Sequence, residues 1–270
     1  MTAYALDHVA LAVRDWAQAG PVLAGRYAGR WDSGFRQPVF SPAQLEYADG
    51  MRIELLEPGA EPSSFVRRFL DARQAPARPH HITFKVRDIR ATLGRARECG
   101  FEPIQVNLES EMWKEAFLHP KATGLGFLVQ VAQSAGTPAD LGGDLPGMYR
   151  TPPWPAPEGT PAALPAALPA VTGRVADLDT AGRVLRDVLG GVETPLEAGT
   201  SSWTWPQGAD LVLTAGGEPG LELLAFRGDG ATSWKLGDLL SAARGEPVIP
   251  ELGIRAVDLG TSAGAGGGHA

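Results

Sequence analysis

Pro79-His80-His81-Ile82-Thr83-Phe84-Lys85-Val86-Arg87-Asp88 restates, 73 residues later, the stretch Asp7-His8-Val9-Ala10-Leu11-Ala12-Val13-Arg14-Asp15. Both read His-apolar-x-apolar-x-Val-Arg-Asp, a period-two apolar run that predicts a strand with one face buried, and both precede a helix-like segment. A duplicated strand-helix unit puts His8 and His81 at one point of two copies, where a pseudo-twofold arrangement brings the imidazoles together. Such a meeting builds a metal site from residues far apart in sequence.

Working outward, the first copy predicts a strand over 5–14, an irregular helix from Trp16 to Tyr27 broken at Gly20-Pro21, and strands at Pro38–Phe40, Gln44–Tyr47 and Met51–Leu56. Asp49-Gly50 between the last two is a hairpin signal. Ser63 to Gln74 predicts an amphipathic crossover helix. The second copy follows as strand His81–Val86, helix Ile89–Glu98 and strands Glu102–Val106, Ala116–His119 and Gly126–Ala132. The order β-α-β-β-β thus occurs twice, an α+β fold of paired βαβββ modules forming a curved, partly open mixed sheet.

From Gln133 to Pro169 the composition turns to Pro, Ala and Gly, predicting a semi-extended linker. Val171–Asp177 and Asp179–Gly191 then read as a third strand-helix opening, with Ala170 where the histidine would be. Asp210–Thr214 and Gly220–Phe226 read as a hairpin, and Glu222 as the counterpart of Glu54. A helix-like stretch covers Trp234–Ala243, and Leu252–Leu259 reads as the opening of an uncompleted fourth copy. The expected division is 1–134 as the paired metal-site domain, 135–169 as linker, 170–262 as a degenerate module and 263–270 as a flexible tail containing His269.

The chain has 270 residues, is 44% hydrophobic and 20% charged, and carries a net charge of −7. That balance suits a soluble globular protein of two modest domains and argues against nucleic-acid or anionic-membrane binding. Its one cysteine, Cys99, forms no internal disulfide; with no apolar run of membrane-spanning length and no secretory signal, a cytoplasmic location is expected.

The last strands of the two copies carry matching polar residues between aliphatic neighbours, Glu54 in Arg52–Leu56 and Gln130 in Leu128–Ala132. An ionisable side chain in that setting needs a partner, and a divalent cation supplies one. His8, Glu54, His81 and Gln130 make an N₂O₂ donor set that zinc, cobalt, nickel, manganese and ferrous iron all tolerate. His80 competes with His81; strand alternation sends it to the opposite face. Among other polar residues, His119 and Lys121 sit in a turn where they would contact an anionic ligand, and Trp113, Trp203 and Trp205 are candidates for an apolar wall. Glu46, Glu111, Lys114 and Glu115 approach the mouth of the sheet. His119, Lys121 and Trp113 are taken as the substrate-binding candidates.

These residues resemble the vicinal oxygen chelate superfamily, which includes glyoxalase I, extradiol dioxygenases and fosfomycin resistance proteins. The likeness to methylmalonyl-CoA epimerases lies in Leu6–Val13, Ile53–Pro58, His80-His81-Ile82 and Phe117–Gly124 leading into Gln130, and covers residues 5–133. It implies a metal held by His8, Glu54, His81 and Gln130, and an isomerase or epimerase acting on a small oxygenated substrate through a metal-stabilised enolate. Two departures stand out. Gln130 occupies the place of a ligand glutamate and cannot accept a proton as a base. No acid lies near Arg36–Pro38, where the epimerase base would fall. A ferrous-iron dioxygenase built on His8, His81 and Glu54 and a non-catalytic binder of a drug or natural product are the alternatives, and a homodimer is compatible with either.

Overall fold

The computed structural model describes residues 4–110, 112–134, 147–156, 165–197 and 199–260. Two mixed sheets organise it. The first runs β2-β3-β4-β1-β5-β8-β7-β6, from β1 (Tyr4–Val13), β2 (Arg30–Gly34), β3 (Phe40–Glu46), β4 (Arg52–Pro58), β5 (Ala77–Val86), β6 (Ile104–Asn107), β7 (Lys114–Leu118) and β8 (Leu128–Gln133). The repeated stretches β1 and β5 lie side by side, antiparallel, at its centre. Parallel β4 flanks β1 and parallel β8 flanks β5, so the four strands carrying the candidate ligands are neighbours.

The aspartate that closes each repeated motif starts the helix that follows. Asp15 accepts from Ala17 N (2.7 Å) at α1 (Trp16–Pro21), and Asp88 from Ala91 N (3.0 Å) at α3 (Ile89–Glu98), with α2 (Phe65–Asp71) between them in the chain. Past Gly20-Pro21, α1 widens into a π-turn over Val22–Arg26. The second strand of the first copy falls on Arg30–Gly34 rather than Pro38–Phe40. Arg-Trp-Asp-Ser-Gly shows no apolar alternation because β2 is an edge strand.

Register explains the position of His80. Between β1 and β5 the pairing skips at two points, leaving Asp7 and His80 each as an extra residue, one β-bulge in each copy immediately before the conserved-pattern histidine of the repeat. A bulge bends the strand and cancels the regular alternation. His80 therefore does not reach the opposite face from His81: their Nδ1 atoms are 2.8 Å apart, and both rings line the same cavity.

The second sheet runs β10-β11-β12-β9-β13-β14, from β9 (Ala167–Val175), β10 (Val192–Pro195), β11 (Thr200–Thr204), β12 (Asp210–Ala215), β13 (Gly220–Arg227) and β14 (Arg255–Asp258). It revises three expectations. β12 and β13 are not a hairpin; they flank β9 on opposite sides. β14 pairs in parallel with β13 and closes a shortened fourth copy that β13 opens. Register also displaces Glu222. Thr172 faces Val212 and Leu223 as Ala10 faces Glu54 and His81, so Val212 stands at the Glu54 position. Glu222 is the bulged residue matching His80, paired with Arg174 (2.8 Å).

By the same register His8, Glu54, His81 and Gln130 correspond to Ala170, Val212, Leu223 and Val257. All four are buried in one apolar cluster beneath Leu239 of a helix at Leu236–Ala242.

The two sheets share one core. Tyr27 stacks on Phe226 (4.3 Å between centroids) and donates to the Ala256 carbonyl (3.0 Å), while Phe84 leans on Trp205 (4.7 Å). Trp203 and Trp205 are core residues, not cavity walls. From the Pro-rich stretch, Trp154 packs edge-on against Trp31 (5.2 Å) and Tyr149 N donates to Gly34 O (2.8 Å), covering the β2 edge.

Candidate metal centre

Three ligand atoms converge. His8 Nε2 lies 3.7 Å and His81 Nε2 3.6 Å from the same Glu54 oxygen, and the three donor atoms fall within 4.8 Å of one another. Ligands bound at roughly 2.0–2.2 Å stand about 3–3.5 Å apart around one cation, so the spacing fits a divalent ion with small adjustment.

Each imidazole is oriented by the residue before it. Asp7 Oδ2 is 2.8 Å from His8 Nδ1. Burial pushes the Asp7 carboxyl up, but the hydrogen bond and charge of His8, with Lys85 and Arg52, outweigh it and hold it below the usual carboxylate range. An ionised Asp7 only accepts, so Nδ1 carries the proton and Nε2 presents a lone pair. His81 Nδ1 faces His80 Nδ1, and its Nε2 is buried without a hydrogen bond. Burial, with His80 and His8 nearby, pulls the His81 pKa well below normal; burial and Arg78 pull that of His80 to about 4. Both rings stay neutral at pH 7, as metal ligation requires. An orphaned ring nitrogen, a ready lone pair and a carboxylate fit a cation.

Burial raises the Glu54 pKa, partly offset by His8 and by the hydrogen bond from Gln44 Nε2 (3.3 Å). Gln130 joins the group through Thr83, whose hydroxyl lies 2.5 Å from Gln130 Oε1 and 2.8 Å from His8 Nε2 and has one proton to share between these two acceptors. The other end of the amide donates to Glu115 Oε2 (2.7 Å), which also accepts from Trp113 Nε1 (2.9 Å). The amide is therefore held with its oxygen toward Thr83 and His8.

A cavity of about 560 Å³ is lined by Gln44, Glu54, His80, His81 and Gln130 of this group, whereas His8 is buried and is not part of its lining. Trp113 and Glu115 line it. His119 and Lys121 do not: His119 is exposed and caps a short helix at Pro120–Thr123, its Nδ1 accepting from Lys121 N (3.1 Å), so the motif holds a turn. Glu46 and Lys114 are also absent from the lining, and Glu111 lies outside the described residues. Asp7, His80, Thr83 and Gln44 carried no separable signal in sequence. The sequence marks Trp113 as a candidate apolar wall and Glu115 as a residue near the mouth of the sheet, and both line the cavity.

Known proteins share the fold of this chain. A variant of 4-hydroxymandelate synthase from Streptomyces coelicolor superimposes with a TM-score of 0.53 at 14% identity, over 84% of this chain and 71% of its own. A xylose isomerase-like TIM barrel/4-hydroxyphenylpyruvate dioxygenase fusion protein gives 0.55 at 17%, over 84% and 36%. These show a shared fold. Methylmalonyl-CoA epimerase from Mycobacterium tuberculosis is 24% identical over 49% of this chain and 89% of its own, with a TM-score of 0.44. No curated protein sequence matches. Among the described residues no helix is long and apolar enough to cross a membrane. The family model of the Glyoxalase/Bleomycin resistance protein/Dioxygenase superfamily matches residues 7–117, so the likeness to that superfamily lies in this segment of the chain.

Proposed function

We propose that the protein is a metal-dependent enzyme of the isomerase or epimerase type, acting on a small organic molecule with two adjacent oxygens. The observation that carries this reading is the convergence of His8 Nε2, His81 Nε2 and Glu54, two of which, His81 and Glu54, line a cavity. His8, Glu54 and His81 would hold the cation, with Gln130 Oε1 beside them. A divalent cation there supplies Lewis acidity toward the substrate oxygens.

The remaining work falls to side chains. Asp7 and His80 keep the two rings aimed, and Gln44 steadies Glu54. Among the described residues, Glu115 is the carboxylate that lines the cavity without belonging to the three converging groups. With Oε2 engaged by Trp113 and Gln130, it is placed to take a proton from a carbon next to the substrate oxygens and return it. It answers the absence of an acid at Arg36–Pro38.

The test is metal analysis of untagged protein. About one equivalent of divalent cation is expected in the wild type, and His8→Ala and His81→Ala should each weaken binding by roughly 100-fold or more, beyond the 10–100-fold typical of outer partners. Unchanged metal content in both variants rejects the site. A second reading rests on the same triad, since two histidines and one carboxylate suit ferrous iron. Substrate-dependent oxygen uptake by iron-loaded protein would favour a dioxygenase.

A further inference from the structure

Phe35, Phe40, Phe65, Trp113 and Phe117 supply five of the 18 residues lining the cavity, in a chain only 7% aromatic. The aromatic surface reaches the floor. Phe117 stands edge-on to His81 (5.8 Å between centroids), and Phe65 tilts against His80 (5.7 Å).

The charges are one-sided. Glu54 and Glu115 line the cavity; no lysine or arginine does, and every lysine and arginine of the chain lies within the described residues. Arg36 and Arg67 border the adjoining groove, where Arg36 pairs with Glu57 and Arg67 donates to Gly59 O (2.8 Å). Arg52 and Lys85 are held by Asp7 at 3.2 and 3.5 Å. A pyrophosphate or other polyanion needs charge-assisted donors and would meet two carboxylates instead.

Building on the metal-centred reading, we infer that the cavity takes an uncharged aromatic molecule bearing adjacent oxygens, and not a phosphorylated or coenzyme A-linked one. Its ring lies among the aromatic walls, and its oxygens face His8, Glu54 and His81. The likeness to a methylmalonyl-CoA epimerase therefore does not extend to the ligand.

Isothermal titration of the zinc-loaded full-length protein tests this with three probes: 2-hydroxyacetophenone, hydroxyacetone and acetyl-CoA. The aromatic ketone should bind about tenfold or more tighter than the aliphatic one, as ring packing allows, and acetyl-CoA should give no saturable heat. Phe35→Leu or Phe40→Leu should cut that preference about fivefold; Phe65→Leu replaces either variant if it misfolds. Equal affinity for the two ketones, no binding of the aromatic one, or tighter binding of acetyl-CoA overturns the inference. Repeating the titration after chelation separates the two readings. An aromatic preference that persists while the protein proves unable to bind zinc keeps this inference and sinks the metal centre; zinc binding without the preference does the reverse.

Discussion

At corresponding points of the two sheets, Glu54, His81 and Gln130 line an open cavity with His8 buried beside them, whereas Ala170, Val212, Leu223 and Val257 lie buried under Leu239. Both sheets carry a helix across this face. In the first, α2 packs Val66 and Leu70 on Ala10, Ala12 and Leu56, to one side of the ligand residues. In the second, the helix over Leu236–Ala242 sits on the ligand-equivalent positions themselves. Four apolar side chains closed under a helix gain from leaving water; four polar ones left open pay to be held together. The same backbone therefore serves cohesion in one copy and gathers polar groups in the other.

Exchanging residues between the sheets tests that contrast, and the largest effect is expected at Val212→Glu. A carboxylate there has no imidazole to meet, so unfolding in urea should show a loss of about 3–5 kcal/mol, the scale of an uncompensated buried charge. A loss below about 1 kcal/mol would mean that the second face is wetter than its packing implies. Next comes Asp7→Asn, which leaves His8 in place but removes the acceptor that orients it. Zinc affinity should fall about 10–100-fold with the circular dichroism unchanged, and an unaltered affinity would remove Asp7 from the site. The smallest effect is expected from Glu54→Val, which copies the second sheet into the first. Metal-free protein should change stability by about 1 kcal/mol or less, because a buried carboxylate contributes little to folding, while zinc binding is lost. Strong destabilisation of the metal-free form would show that Glu54 is structural.

The sequence makes the paired strands legible because His8 and His81 head runs whose apolar alternation survives in both copies, and α3 falls on the expected Ile89–Glu98. The matched positions of Glu54 and Gln130 follow from that repeat. What stays hidden is register. A bulge adds one residue without changing composition, so nothing in Pro79-His80-His81 tells a regular strand from a bent one, and His80 is read onto the wrong face. In the second sheet, Glu222 draws attention because it is acidic, yet its place is set by pairing to β9, which no local pattern records. His119 and Lys121 lie outside the cavity lining, and the sequence does not separate the two roles because a capped turn and an anion contact use the same residue types.

The shared core between the sheets means that the half without ligands is the back wall of the half that has them. Tyr4, Leu6 and Phe84 are buried in a cluster that also contains Trp205, Leu189 and Phe226. Cutting the chain after β8 would leave those three facing solvent directly behind the strands that aim His8 and His81. An excised first module would then be greasy on its reverse side, prone to self-association, and loosened around its two histidines.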